Sequence, residues 1–324
     1  MAYILTMRTR RLVTRIALLG LGLLLAGLSW SFVKRPLPVP DTPGVALPPN
    51  PKPAGVSLAV IPTAEIQSRA GFSVRGGALG SSFTSAIVAF LIEHPKGSIL
   101  VDAGAGRDLR AHLATTPWLL QTFTELSLNQ ATIDALAAGG VEPSALREVW
   151  LTHSHWDHVS GLADFGDQVP IWLAAEELTH ARSDDAGALF QQIEANVALR
   201  IGTQPLSDGV YGPFPSSRDY FGDGSVIALP LSGHTPGSIA VLVNLGSGRR
   251  YLLIGDTAWA REGVDWPAEK PLLSRAMVDA DPERVRDQLV SLHQLQAANP
   301  ELVIVPAHDA RVHSQMATFP ARER

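Results

Sequence analysis

The segment 152–158 constrains the fold most, because three histidines and an aspartate fall within six residues directly after an apolar run. That run, residues 146–151, has the composition and length of a short buried strand. On an extended chain His153 and His155 project to the same side, so their nitrogens can meet one metal ion. A polar loop with chance histidines is the alternative, and four ligands at this density argue against it. The four candidate ligands are His153, His155, Asp157 and His158.

Three more candidate ligands each follow a later apolar run, namely His234, Asp256 and His308. A lone histidine at a strand end is more often a polar cap that is satisfied by hydrogen bonding than a ligand. Here, however, one candidate stands at each of three strand exits, the rim at which α/β folds build their sites. The repetition therefore favours a single site that draws on all three positions.

The remaining pattern predicts strands that alternate with helices. The clearest signals mark the start of a helix at residue 282, because Asp281 is a natural N-cap and Pro282 suits the first helical position. Residues 202–224 are rich in Gly and Pro and indicate a long loop that forms a pocket wall. We predict strands at 57–63, 84–93, 98–101, 146–151, 226–231, 238–243, 251–254 and 302–305, and helices at 131–138 and 282–298. Two sheets of these strands with helices outside give an α/β fold, a four-layer αββα sandwich.

The composition excludes several classes of protein. With 46% hydrophobic and 18% charged residues, the chain is globular rather than disordered or coiled-coil. The net charge is −5 and no run of Lys or Arg follows residue 35, so a nucleic-acid partner is not expected. The absence of cysteine rules out disulfides, thiolate metal ligands, a cysteine nucleophile and a lipidated cysteine.

The N-terminus has the pattern of a membrane anchor or a signal segment. Four arginines precede an apolar run at 16–33, which Lys34 and Arg35 close. A spanning helix needs about 20 apolar residues, so this run is near the lower limit. The excess of arginine on the N-terminal side predicts that the catalytic body lies outside the cytoplasm, in the periplasm if the source is bacterial. A cleaved signal peptide is the alternative, since residues 16–28 also suit its apolar region.

Eight prolines between residues 36 and 53 predict an extended, semi-rigid spacer, because such a stretch lacks donors for a sheet. The domain organisation predicted from these features is an anchor or signal segment at 1–35, a Pro-rich linker at 36–56 and a main domain at 57–324 that carries the candidate metal ligands.

The motifs resemble those of the metallo-β-lactamase superfamily, whose His-x-His-x-Asp-His signature is matched residue for residue at 153–158. The later His, Asp and His of the family match His234, Asp256 and His308, and Asp102 matches its first motif. The resemblance covers roughly residues 57–310. It implies an αββα sandwich with one ion on His153, His155 and His234, a second ion on Asp157, His158 and His308, and Asp256 as the bridge.

The resemblance also implies the chemistry of the site. Ligands without thiolate suit two Zn²⁺ ions, although Mn²⁺ or Fe²⁺ fit such a site as well. A water molecule between the ions would lose its proton near neutral pH and attack a small-molecule substrate, while the ions stabilise the oxyanion and the leaving group. Asp157 would be catalytic, since it would orient the hydroxide. Asp102 would support the ligands by hydrogen bonding rather than touch a metal ion.

Several activities of the superfamily remain open. Its redox members carry Glu where this chain has His155, and its nucleases usually bring extra domains or basic surfaces. True lactamases with all three signature histidines tend to lack the carboxylate that Asp256 supplies. The motif style is closest to that of enzymes that cleave a lactone, ester or thioester. The alternatives are a β-lactam, phosphoester or sulfate-ester hydrolase and a non-catalytic metal-binding sensor.

Substrate specificity is expected to reside in residues 179–224, which contain no readable motif. Four tryptophans could line an apolar pocket, although packing in the core is the expected role of each. They are Trp156, Trp172, Trp259 and Trp266.

Overall fold

The computed structural model describes residues 2–116, 118–183 and 188–324. Positions 184–187, within the segment expected to determine specificity, lie outside the described residues. The strands are β1 Ser57–Arg69, β2 Ser82–Glu93, β3 Ser98–Val101, β4 Glu125–Leu128, β5 Leu146–Trp150, β6 Pro170–Trp172, β7 Arg200–Gly202, β8 Arg218–Asp219, β9 Val226–Pro230, β10 Ile239–Asn244, β11 Arg250–Leu253 and β12 Leu302–Val305.

The helices connect these strands, and two 3₁₀ turns lie at Pro143–Ala145 and Gly255–Thr257. The α-helices are α1 Ala2–Phe32, α2 Ala70–Ser73, α3 Leu109–Leu113, α4 Trp118–Phe123, α5 Thr132–Ala138, α6 Trp156–Val159, α7 Leu162–Phe165, α8 Ala175–Ala181, α9 Ala188–Asn196, α10 Glu262–Asp265, α11 Leu272–Val278, α12 Pro282–Ala298 and α13 Ala310–His313.

The strands of the described residues form two sheets. The first has seven strands in the order β4-β1-β2-β3-β5-β6-β7, and the second has five in the order β12-β11-β10-β9-β8. In the first sheet β3, β5, β6 and β7 are parallel, and in the second β11 and β12 are parallel. Parallel strands present their carboxyl ends at one edge, which is where side chains from separate strands can converge.

Alternation along the strands divides the buried apolar residues into three layers. Leu58 and Val60 of β1 face the second sheet, whereas Ala59 and Ile61 face the helices outside the first sheet. On the far side of the second sheet, strand residues of β9 and β10 pack against one face of α12, including Leu289. Successive side chains of a strand point to opposite faces, so each sheet is covered on both sides. The four-layer αββα sandwich is therefore confirmed.

Most predicted elements are present with small shifts in their ends. The helix at 282–298 and the strands at 98–101 and 302–305 have the predicted bounds, and Asp281 caps α12 by accepting a hydrogen bond from Arg284 N at 3.0 Å. The strand predicted at 57–63 continues to Arg69 through a bulge at Pro62, where the polar composition gave no signal. The loop predicted at 202–224 contains the short strand β8, which pairs with β9.

The N-terminal segment forms the helix α1, whose side chains at Leu12, Val13, Ile16 and Leu19 are more than half exposed. Within the described part of the chain, no helix combines the length and the apolarity needed to cross a membrane. The prediction of a spanning helix thus gains no support from the structure.

The Pro-rich segment has no helix or strand, and parts of it lie against the body. Leu47 is buried, and its amide donates to Asn299 Oδ1 at 2.9 Å. Asn50 Nδ2 donates to Gly248 O at 3.0 Å, and Gln294 Nε2 donates to Thr42 O at 3.0 Å. These contacts fix residues 42–50 on the catalytic body, which an extended spacer would not require.

Candidate metal centre

The seven ligands proposed from the sequence come together where β5, β9, β11 and β12 end. The loop after β5 carries His153, His155, Asp157 and His158, and the later strands deliver one ligand each. Gly255 has φ +51°, a left-handed conformation that favours glycine, and a Cβ there would approach Thr152 Oγ1 within 3.1 Å. This close approach brings the end of β11, and with it Asp256, next to the histidine loop.

Asp256 lies at the centre of the cluster. Its Oδ1 is 3.2 Å from His158 Nε2 and 3.0 Å from His308 Nε2. Its Oδ2 is 3.5 Å from His234 Nε2 and 4.0 Å from His153 Nε2. One carboxylate therefore faces imidazoles from both sides of the cluster.

Three overlapping groups of side chains could each hold a metal ion, with the ligand atoms of each group within 4.8 Å of one another. The first group is His153, His155 and His234. The second group is His153, His158 and Asp256. The third group is Asp157, His158 and His308, in which Asp157 Oδ2 lies 3.3 Å from His308 Nε2.

The chemistry of these atoms fits divalent metal ions. His153 Nε2, His158 Nε2 and Asp256 Oδ1 are buried and none of them makes a well-aligned hydrogen bond, although Asp256 Oδ1 lies 3.2 Å from His158 Nε2. Buried polar atoms are nearly always paired, so three orphans that converge on one point indicate a ligand. His308 Nδ1 lies 2.7 Å from Ala86 O, which can only accept, so in the neutral ring the lone pair is on Nε2, the atom that faces the cluster.

A carboxylate behind His158 orients its ring. Asp102 Oδ2 lies 2.8 Å from His158 Nδ1, and Thr152 donates its backbone N–H to Asp102 Oδ1 at 2.7 Å. Asp102 has φ +60°, a conformation that Asp tolerates better than most residues. Such a carboxylate–histidine pair fixes the ring and raises its basicity as a metal ligand.

A buried ion pair supports His234. Asp279 Oδ1 lies 2.8 Å from His234 Nδ1 and 2.7 Å from Lys270 Nζ. Lys270 also donates to the backbone oxygen of Asp256 at 2.8 Å, and Trp259 Nε1 donates to Asp256 Oδ2 at 2.8 Å. Lys270 thereby connects the residue that holds His234 to the residue at the centre of the cluster.

Burial lowers the pKa values of His153 and His155 well below the usual range, and the neighbouring histidines lower them further. Burial also lowers the pKa of His234, and Lys270 adds to the effect. These three rings are thus neutral near pH 7, the form in which imidazole binds a metal ion.

The other histidines of the cluster have the opposite shift. Burial opposes the charged form of His158, but the carboxylates of Asp102 and Asp256 outweigh it and raise the pKa well above its usual range. For His308 the Asp256 carboxylate likewise outweighs burial and raises the pKa. Burial would raise the pKa of Asp256, but His308 and His158 hold it well below its usual range. The carboxylate is therefore ionised and available to a cation.

Four residues that sequence reasoning did not identify complete the surroundings of the cluster. Trp259 was expected to pack in the core, but its indole N–H bonds Asp256, whereas Trp172 is buried between the sheets as expected. Lys270, Asp279 and Glu177 had no motif to mark them. The nearest signal for Glu177 is its place in the first turn of a helix, which usually indicates only a solvated carboxylate.

We expect purified protein to hold close to two equivalents of zinc or a similar ion, since the seven candidate ligands supply enough donors for two ions. Metal analysis of the folded protein measures this directly, and a single equivalent at saturating metal would contradict it. The five other histidines lie outside the candidate groups, so their replacement should leave the metal content unchanged. They are His94, His112, His180, His293 and His313.

Comparison with known proteins agrees with this geometry. The model of the metallo-beta-lactamase superfamily matches residues 84–308. A probable metallo-hydrolase of Mycobacterium tuberculosis is 29% identical over 235 residues, which cover 68% of this chain and 73% of the relative. The N-acyl homoserine lactonase AttM of Rhizobium radiobacter is 25% identical over 250 residues, 71% of this chain and 84% of that enzyme.

Solved structures show the same fold. A structure of an N-acyl homoserine lactone hydrolase, with the product N-hexanoyl-L-homoserine at its catalytic metal centre, superposes with a TM-score of 0.64. It is 18% identical, and the match covers 82% of this chain and 98% of that one. This chain is a metal-dependent hydrolase, and it belongs to the metallo-β-lactamase superfamily.

Proposed function

We propose that the protein is a dinuclear zinc hydrolase that opens a lactone, with N-acyl homoserine lactones as the substrate class to test first. The observation that carries the proposal is the position of Asp256, whose two oxygens face imidazoles of the first and the third candidate group. A carboxylate between two cations fixes their spacing and offsets their repulsion. The relatives and structural neighbours that are named as lactonases support the substrate class.

In the proposed assignment His153, His155 and His234 would hold one ion, Asp157, His158 and His308 would hold the other, and Asp256 would serve both. When bound, two zinc ions lower the pKa of a water molecule and polarise the scissile carbonyl. Mn²⁺ or Fe²⁺ would suit the same donors, since all are imidazole or carboxylate.

The side chains then have separate tasks. Asp157 lies at the edge of the cluster, partly exposed and 3.3 Å from His308 Nε2, so its free oxygen can hold the proton that the attacking water gives up. Hydrolysis adds water across the carbonyl carbon and the ring oxygen. The C–O bond of the ring breaks, that oxygen takes the proton, and a hydroxy acid leaves.

A substrate panel tests the proposal. Metal-loaded protein should open N-acyl homoserine lactones, detected by mass spectrometry as the gain of one water, and a chelator should abolish the reaction. Generic esters, a β-lactam, a phosphodiester and an aryl sulfate ester serve as the other members of the panel. Faster turnover of the β-lactam, the phosphodiester or the sulfate ester than of every lactone and ester would contradict the proposed substrate class, and no turnover of any compound would favour a sensor.

We also propose that the N-terminal segment places the catalytic body outside the cytoplasm. The excess of arginine before the apolar run supports this orientation. The exposed apolar side chains of α1 form the kind of surface that usually contacts a membrane or another protein. A truncation should end before residue 30, since Arg75 Nη2 donates to Trp30 O at 3.0 Å and Leu272 N donates to Ser31 Oγ at 2.7 Å.

Cell fractionation should find the body outside the cytoplasm, either attached to membrane through residues 1–35 or as a shorter chain that begins near residue 30. A deletion of residues 1–29 should retain the folded, active body. Full-length protein confined to the cytoplasm would contradict the proposal.

A further inference from the structure

Glu177 is a buried carboxylate that joins the two loops carrying the ligands of the first group. It lies in the first turn of α8 and has no exposed surface. Its Oε1 accepts hydrogen bonds from Ser154 N at 2.7 Å and from Ser154 Oγ at 2.6 Å. Its Oε2 accepts from Thr235 Oγ1 at 2.6 Å and from Gly237 N at 3.1 Å.

These four donors surround one ligand group. Ser154 separates His153 from His155, and Thr235 directly follows His234. His153, His155 and His234 are the members of the first candidate group. The third candidate group is supported by other residues, because Asp102 bonds His158 and the backbone of Ala86 bonds His308.

Glu177 depends on these four hydrogen bonds because its carboxyl group is fully buried. Within the described ranges no Lys, Arg or His forms an ion pair with it, so four directed donors stabilise its charge. Hydrogen bonds to an ionised acceptor are about twice as strong as neutral ones, and loss of a partner leaves a buried charge. Both loops are therefore held at fixed distances from one carboxyl group.

Gly237 gives an independent sign of this close fit. A Cβ at that position would lie 2.1 Å from Glu177 N, so only glycine allows the loop after His234 to approach α8 this closely. The motif Gly-His-Thr-Pro-Gly thus contains a residue whose role is contact with Glu177 rather than with metal or substrate.

We propose that Glu177 is a positioning residue that selectively sets the affinity of the ion held by His153, His155 and His234. The inference rests on the proposed two-ion centre. Glu177 touches neither ion, and it acts through the backbone on both sides of the ligands.

A metal titration in two ligand-deletion backgrounds tests the selectivity. Chelator-stripped protein is titrated with Zn²⁺ against a chromophoric chelator, so that affinity is read without any substrate. Asp157→Ala leaves the first group intact, and there Glu177→Gln should weaken zinc binding by about 10-fold or more. His155→Ala leaves the third group intact, which is Asp157, His158 and His308, and there the same change should alter the affinity by no more than about twofold.

Matched variants separate position from charge. Glu176→Gln removes the same charge from the neighbouring exposed residue and should leave both affinities unchanged. Gly237→Ala should reproduce the selective weakening, because its methyl group displaces α8, and it keeps the test decisive if Glu177→Gln fails to fold. Asp102→Asn should weaken chiefly the third group, because Asp102 bonds His158.

Equal weakening in both backgrounds, or a lower melting temperature with unchanged affinities, would overturn the role assigned to Glu177. Wild-type protein that binds two ions but opens no lactone would contradict the proposed substrate and leave the role of Glu177 standing. Wild-type protein that binds only one ion would overturn both.

Discussion

Replacement of Asp256 by Ala should weaken both metal sites at once and lower the rate of hydrolysis by on the order of 1,000-fold. The carboxylate lies within 4.0 Å of four imidazole nitrogens that belong to different ligand groups. Without it, nothing between the two ions offsets their mutual repulsion. Metal analysis and the initial rate of lactone opening, both on the same preparation, measure the two effects.

Two aspartates serve as references for this variant. Asp102→Ala removes a carboxylate that touches a ligand but faces away from the ions, so it should cost less, on the order of 10–100-fold in affinity. Asp265→Ala removes a carboxylate on the surface and should change neither quantity. Circular dichroism must show that each variant is folded, because any of the changes can act through stability. If Asp256→Ala keeps two ions and near-normal turnover, Asp256 is no bridge, and a mononuclear, lactamase-like site gains support.

The candidate ligands could be predicted because the motif and the strands share one segment of chain. Residues 146–151 are apolar enough to be a buried strand, and the histidines follow directly. The sequence therefore predicts that the candidate ligands lie at the end of this strand. The same holds for His308, which follows the predicted strand 302–305. Within the second sheet β9, β11 and β12 run in the same direction, so their ligands share one edge of that sheet. Only the packing of the two sheets brings that edge to the loop after β5.

The residues around the ligands could not be predicted, because their roles depend on distances across the fold. Glu177 bonds Thr235 across 58 positions of sequence, and Lys270 meets Asp256 across a turn of no fixed pattern. A single charged residue in an ordinary helix or loop is usually solvated. Only the packing of the two sheets shows that these charges are buried and paired.

The Pro-rich segment illustrates a different limit. Its composition correctly excludes helix and strand, yet Leu47 is buried against the second sheet and α12. Proline content determines the local conformation of the chain, while the burial of Leu47 and the hydrogen bonds of residues 42–50 hold the segment on the body.

Lys270→Met should lower the free energy of unfolding by about 3–5 kcal/mol, the range for removal of one partner from a buried ion pair. Lys270 Nζ and Asp279 are 2.7 Å apart, and both side chains are 2% exposed. Burial would raise the pKa of Asp279, but Lys270 and His234 hold it below its usual range, so loss of Lys270 leaves the buried carboxyl group without its main stabilising partner. Denaturant unfolding in the presence of a chelator measures the effect without a contribution from bound metal.

Two further variants show whether the loss of stability in Lys270→Met comes from the unpaired carboxyl group of Asp279. Arg261→Met breaks an exposed pair with Asp265 and should cost about 1 kcal/mol or less. Asp279→Asn, added to Lys270→Met, removes the unpaired charge but keeps an acceptor for His234 Nδ1, so the double variant should be more stable than Lys270→Met alone. If it is less stable instead, the cost of losing Lys270 lies in packing or in the lost bond to Asp256 O, and the ion pair contributes little. Because Asp279 also orients His234, a return of stability without a return of metal affinity would separate the structural task of this pair from its task at the metal centre.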